Sequence, residues 1–155
     1  MIDIGDGEFK ILHKNFILSS TNQIIFLREE LKKTGSIELL YRFGGRISKD
    51  ILEHFKVFGD KREEMLKFWL NMVNLSGVGD LEIIELKEGL VVINCKNSPI
   101  AREYLKIGKK EKVDDLLAGM VAGFFDEWFK KSVNCREVKC MAEGERYCQF
   151  EVKTK

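Results

Sequence analysis

Apolar residues recur along this chain at two different spacings, and the change of spacing divides it into predicted elements. In the first half the interval is three to four, as on one face of a helix. A first helix is expected to start after Ser19, Ser20 or Thr21 and to stop at Gly35, with Ile24, Ile25, Phe26, Leu27 and Leu31 as its buried face. Ser36 is a cap for a second helix carrying Leu39, Leu40, Phe43, Ile47, Ile51 and Phe55, which Gly44-Gly45 either kinks or breaks in two. Gly59-Asp60 restarts a third, with Met65, Phe68, Trp69 and Met72 along one side, ending near Gly77. Before these, the segment around Phe9 and Ile11 alternates only roughly, as a short strand or an extended arm.

The spacing then shortens. Residues 81–86 and 90–95 flank Lys87-Glu88-Gly89 as a predicted β-hairpin, and Pro99 ends its second strand or opens a short helix. A long helix over about 110–131 follows, with Val113, Leu116, Leu117, Met120, Val121, Phe124 and Trp128 at steps of three and four. A second hairpin, 133–142 and 146–152, turns around Gly144. Helices first and strands later, without regular βαβ alternation, predict an α+β fold: N-terminal helices, then an antiparallel sheet of hairpins packed against the long helix. With 155 residues and no linker or repeat, 1–155 is expected to be one domain.

Composition removes several functions from consideration. The net charge is +1 and the charges are interspersed, so no basic stripe marks a nucleic-acid binder. No run of about 18 apolar residues spans a membrane, and Met1 to Asp6 lack a secretory signature, so a soluble cytoplasmic protein is expected. In that reducing setting the four cysteines are thiols or metal ligands before they are disulfides. His13 and His54, the only histidines, have no neighbouring nucleophile. No glycine-rich phosphate or dinucleotide loop is present, so no nucleotide cofactor and no catalytic residue are expected.

The informative segment is the last hairpin. Cys140 and Cys148 are symmetric about Gly144. With a three-residue loop centred there they oppose each other across the strands, about 4.5–5.5 Å apart at Cβ, within reach of one tetrahedral metal. Both are equally suited to be small buried hydrophobes, and two thiolates are half a zinc site. Cys95 and Cys135 complete no short-spaced motif.

The hairpin, with Glu137, Cys140, Ala142, Gly144-Glu145, Cys148 and Phe150 in order, resembles the close of the 4-vinyl reductase domain family. Asn97-Ser98-Pro99-Ile100-Ala101 and the Gly119 to Gly123 helix segment are similar to two further family features, so the resemblance covers about 85–153. That family is related in fold to TRAPP-type tethering subunits and H-NOX ligand-binding domains. The resemblance implies a structural zinc held by a cysteine early in the glycine-bearing helix and by the hairpin's Glu, Cys and Cys. Here the set becomes Asp114, Glu137, Cys140 and Cys148, with aspartate in place of the cysteine. Glu137 and Cys140 are three apart and face opposite sides of a regular strand, so both ligate only where the strand is bulged.

The aromatic complement exceeds a narrow packing stripe. Phe43, Phe68, Trp69, Phe124 and Trp128, with Gly119 leaving room beside them, are the candidate lining of an interior site for a small apolar molecule. The small residues around Gly119 equally suit close helix packing. Three readings follow: a non-catalytic binding or sensing module for an apolar, hydrocarbon-like ligand, its output supplied by a separate partner; a homodimeric interaction adaptor of the tethering type, joined through the N-terminal helices; and, last, a reductase-like enzyme.

Overall fold

The computed structural model describes residues 2–11, 13–56 and 61–155. Its order is β1 (Ile2–Gly5), β2 (Glu8–Ile11), β3 (Lys14–Phe16), α1 (Thr21–Lys33), α2 (Glu38–Phe55), α3 (Arg62–Leu75), β4 (Asp80–Lys87), β5 (Leu90–Lys96), α4 (Pro99–Lys106), α5 (Asp115–Phe129), β6 (Val133–Lys139) and β7 (Cys148–Thr154). The α+β class expected from the change of spacing is the one observed. The expected helix restart at Gly59-Asp60 lies outside the described residues; α3 follows Lys61.

The N-terminal segment is neither a lone strand nor an arm but a three-stranded antiparallel meander, β1-β2-β3. Its first turn is made by Asp6 and Gly7, both at positive φ, 50° and 79°. An Asp-Gly pair matches the right-handed twist of a two-residue hairpin.

Helix α1 starts where its cap predicts. The Ser20 side chain accepts from the Gln23 amide while the Gln23 side chain accepts from the Ser20 amide, a reciprocal capping box. Its buried face differs from the expected one, because Phe26 and Leu27 are exposed and Arg28 is buried. Ser36 does not cap α2; its hydroxyl donates to the Thr34 carbonyl, and Ile37 takes the cap position without a side-chain bond.

Helix α2 runs continuously through Gly44-Gly45, so the expected alternative of two separate helices is not found there. A Cβ on Gly44 would lie 2.9 Å from the Met120 amide nitrogen, and one on Gly123 would lie 2.7 Å from the Gly45 Cα. These glycines let two helix backbones touch. Helix α5 is consequently buried on every side from Leu116 to Phe125, enclosed by α2 and by strands β6 and β7. It is shorter than expected at both ends: 109–114 is a connecting segment, and Lys130 stops the helix at φ 53°.

The second sheet has the order β4-β5-β7-β6, all antiparallel. Val91, Ile93 and Cys95 of β5 pair with Val152, Phe150 and Cys148 of β7, forming the buried face that meets the core. The final hairpin is longer than the tight loop expected: after β6 come a 3₁₀ turn, Met141–Glu143, and Gly144 at φ 97°. Among the described residues no helix is long and apolar enough to cross a membrane.

Candidate metal centre

Strand β6 pairs Cys135 with Val152 and Glu137 with Phe150, which puts Glu137 on the core face of the sheet. The register then shifts between Glu137 and Lys139, so Val138 is an extra residue. That bulge reverses the alternation and brings Cys140 back to the same face as Glu137. Cys140 lies opposite Cys148, with the two Sγ atoms 3.9 Å apart. Asp114, the residue before α5, meets them from the helix side. One ligand atom from each of Asp114, Glu137, Cys140 and Cys148 lies within 4.8 Å of all the others. Asp114, Cys140 and Cys148 are fully buried and Glu137 is partly buried.

Each carboxylate has one oxygen held by the protein and one left over. The Ser98 hydroxyl donates to Asp114 Oδ1 at 2.9 Å and accepts from the Ala101 amide at 3.1 Å, so the residue that caps α4 also fixes Asp114. Glu137 Oε2 accepts from the amides of Val113 and Asp114 at 3.0 and 3.1 Å, joining β6 to the start of α5. Asp114 Oδ2 and Glu137 Oε1 are buried without a hydrogen-bond partner. Buried acceptors are rarely left unpaired. The Met141 amide donates to Cys148 Sγ at 3.3 Å.

The electrostatics follow from placing four acidic groups in a low-dielectric site. Burial first, then the neighbouring Glu137, pushes Asp114 up to about 7. Burial, then the adjacent Cys140 sulfur, pushes Glu137 up to about 8. Cys140 is drawn below the ordinary thiol range because the Cys148 thiol donates to it, while the second proton of the pair is held more tightly than usual. Burial pushes Cys95 and Cys135 upward instead. Neither belongs to the cluster.

The donor set of two thiols and two orphaned carboxylate oxygens suits a thiophilic dication of zinc type, for which four protein ligands are the rule in structural sites. Around it stands a shell of fixed hydrogen bonds from Ser98, Val113 and Met141, of the kind that orients metal ligands. Sequence reasoning missed those partners; only the Ser-Pro start of α4 hinted at Ser98.

The candidate apolar residues do not close around one interior space. Trp69 and Phe124 are fully buried and stack on each other at 4.4 Å between ring centres. The Trp69 indole donates to the Ser48 hydroxyl at 2.9 Å, which donates to the Met120 carbonyl at 2.6 Å. Phe68 stacks on Phe55 at 4.5 Å. Phe43 is 53% exposed, and Gly119 gives its space to the Tyr41 backbone instead of to a ligand. Trp128 continues the ring series at 5.9 Å from Phe124 and opens onto a surface groove of about 540 Å³, together with Leu86 and Phe129.

The 4-vinyl reductase domain matches residues 91–154, which include all four clustered residues. The uncharacterized protein MJ1460 of Methanocaldococcus jannaschii is 35% identical over 130 residues, 81% of this chain and 71% of that protein. A second protein of that organism, MJ0150, is 23% identical over 74% of this chain and 63% of its own length. Among solved structures, the phenol-responsive sensory domain of the transcription activator PoxR, with phenol, superposes with a TM-score of 0.83 at 18% identity, covering 99% of this chain and 84% of that one. A vinyl-4-reductase family protein from M. jannaschii gives 0.63 at 27% identity, with 90% and 83% covered. Subunit 3 of a trafficking protein particle complex from Naegleria fowleri, covalently bound to palmitic acid, gives 0.61 at 13% identity, with 87% and 92% covered. With the relative at 35% identity and the hairpin motif in place, this chain belongs to the 4-vinyl reductase domain family.

Proposed function

We propose that this chain is a non-catalytic domain that binds or senses a small apolar or aromatic molecule, with a structural zinc clamping its C-terminal hairpin to α5. The observation that carries the ligand reading is the ladder of rings from Trp69 through Phe124 to Trp128, running from the sealed core to an open groove. A flat apolar molecule placed against Trp128 and Leu86 would extend that stack by displacing the Arg62 guanidinium, which lies 4.8 Å from the Trp128 ring centre. Two similar folds favour the same ligand class, one solved with phenol and one with a fatty acyl group. Four protein ligands would leave no position for a substrate water, which favours a structural metal over a catalytic one.

The zinc reading rests on the two orphaned oxygens and the two thiols that share one small volume. Asp114, Glu137, Cys140 and Cys148 would hold the ion, and its charge would offset acids that burial otherwise keeps protonated. Elemental analysis of the purified protein tests this part, with about one zinc per chain expected. A thermal-shift panel of phenols, alkylbenzenes and fatty acids tests the ligand part, with Trp128→Ala expected to abolish any shift. No shift across the whole panel overturns it.

A second reading, a homodimeric adaptor, is favoured by one observation. Ile17, Leu18, Phe26, Leu39 and Phe43 are all about half exposed or more in the N-terminal third of the chain. Light scattering at micromolar concentration decides it, and a monomer removes it.

A further inference from the structure

A second groove, of about 410 Å³, lies on the other side of α5, between α2 and the start of β6. Gly45, Gly119 and Gly123, where the two helix backbones touch, lie at its floor. Its walls are cationic. Arg42, Arg46 and Lys49 stand at i, i+4 and i+7 on α2, hence on one helix face, and Lys155, just after β7, lines the groove with them. One carboxylate, Asp126, answers these four charges, and it is engaged: Oδ2 pairs with Lys49 at 3.2 Å and Oδ1 accepts from the Val133 amide at 2.9 Å. Among the described residues neither Arg42 nor Arg46 has an ion pair or a side-chain hydrogen bond. Elsewhere the surface lysines are mostly matched with acids, as at Lys33–Glu30, Lys96–Glu82 and Lys130–Glu127. Among the described residues Arg42 and Arg46 are thus left as the unmatched cations of this groove.

We infer that this groove is a binding site for a phosphate-bearing ligand, distinct from the Trp128 groove and from the metal centre. Two guanidinium groups one helical turn apart present planar forks of donors that match phosphate oxygens bidentately. Lys155 supplies a further point charge. The phosphate has two sources to distinguish, a soluble phosphate ester and a lipid headgroup. Leu39 and Phe43, exposed on α2, would suit the lipid source, and the concave floor suits the soluble one.

The test is calorimetric titration of the intact chain with inorganic pyrophosphate at low ionic strength, beside flotation with vesicles of phosphatidylcholine alone or with phosphatidylglycerol. Arg42→Gln and Arg46→Gln, neither of which removes a bond within the protein, are expected to weaken binding about tenfold each. Lys110→Gln, an exposed lysine away from the groove, is expected to leave it unchanged. Pyrophosphate binding lost in the two arginine variants supports a soluble phosphate ester. Binding confined to phosphatidylglycerol vesicles, and lost in the same variants, supports the headgroup. No binding of either probe, or binding that Lys110→Gln weakens as much as Arg46→Gln, overturns the inference.

Discussion

Replacing Gly119 by alanine sets two effects of known sign against each other. On helix propensity alone the change gains about 1 kcal/mol. In the structure the new Cβ lies 2.7 Å from the Tyr41 carbonyl carbon and 2.9 Å from its Cα, and nearer still to the carbonyl oxygen. Unstrained carbon contacts are at about 3.5–4.0 Å, so α2 and α5 must part by roughly 1 Å. The obstacle is backbone, which cannot rotate aside as a side chain can. That separation loosens a helix buried on all sides and disturbs the bridge from Trp69 through Ser48 to Met120. Overpacking of this kind costs about 1–3 kcal/mol, and against backbone that cannot rotate aside the upper end applies, so after the propensity gain a net loss of about 2 kcal/mol is expected. Gly45→Ala is the internal control: its Cβ would meet only the Gly119 carbonyl oxygen at 3.4 Å and the Gly123 Cα at 4.0 Å, and a change within about 1 kcal/mol is expected. Urea denaturation followed by circular dichroism reads both. A Gly119→Ala protein as stable as the parent, or less affected than Gly45→Ala, would refute the close approach of the two backbones.

Other expectations concern the centre and its surroundings. Cys148→Ser should lower bound zinc to a small fraction of one per chain and remove the stabilisation the ion gives, about 2.7 kcal/mol at a hundredfold excess over Kd, read as a lower Tm insensitive to chelator. Ser98→Ala removes both the cap of α4 and the donor to Asp114, and should cost about 1–2 kcal/mol and weaken zinc retention in a chelator competition about tenfold or more. Arg28→Met should destabilise by about 2–3 kcal/mol in urea titrations, because the guanidinium bonds Asp115 at 2.7 Å and the Lys112 carbonyl at 2.8 Å and so ties α1 to the segment that carries Asp114. Glu29 is held down at about 2 by hydrogen bonds from Lys109 and Tyr104. Its contribution is therefore complete above its ordinary range near 4.5 and is lost as pH falls towards about 2. Glu29→Gln should flatten the dependence of stability on pH in that window, by about 0.5–1 kcal/mol after allowing for solvent screening; an unchanged acid limb would count against the pair.

Much of the local structure was present in the residue order. Ser20 with Gln23, Ser98 with Pro99, and the turn at Glu88-Gly89 are each satisfied within a few neighbouring residues, although Lys87, expected in that turn, ends β4 and pairs with Leu90. The Asp6-Gly7 turn was equally legible, but the weak alternation around it concealed a meander of short strands. The symmetry of Cys140 and Cys148 about Gly144 put two sulfurs opposite each other even though the loop proved longer than assumed, because the longer loop is still centred on Gly144.

Tertiary structure decided what periodicity cannot express. A hydrophobic pattern says which residues leave water, not which backbones meet. Gly44-Gly45 therefore had the signature of a break while serving as a contact, and Phe26 counted as core while Arg28 took the buried place. The cluster of Asp114, Glu137, Cys140 and Cys148 shows the division most sharply. Residue identity supplied the two thiols and two carboxylates, but only the bulge at Val138 turned Glu137 and Cys140 to one side. Only the packing of α5 against the sheet then left one oxygen of each acid buried and unpaired beside the sulfurs, since a hydrogen-bond partner supplied from a distant segment is set by the fold and not by its neighbours in the chain.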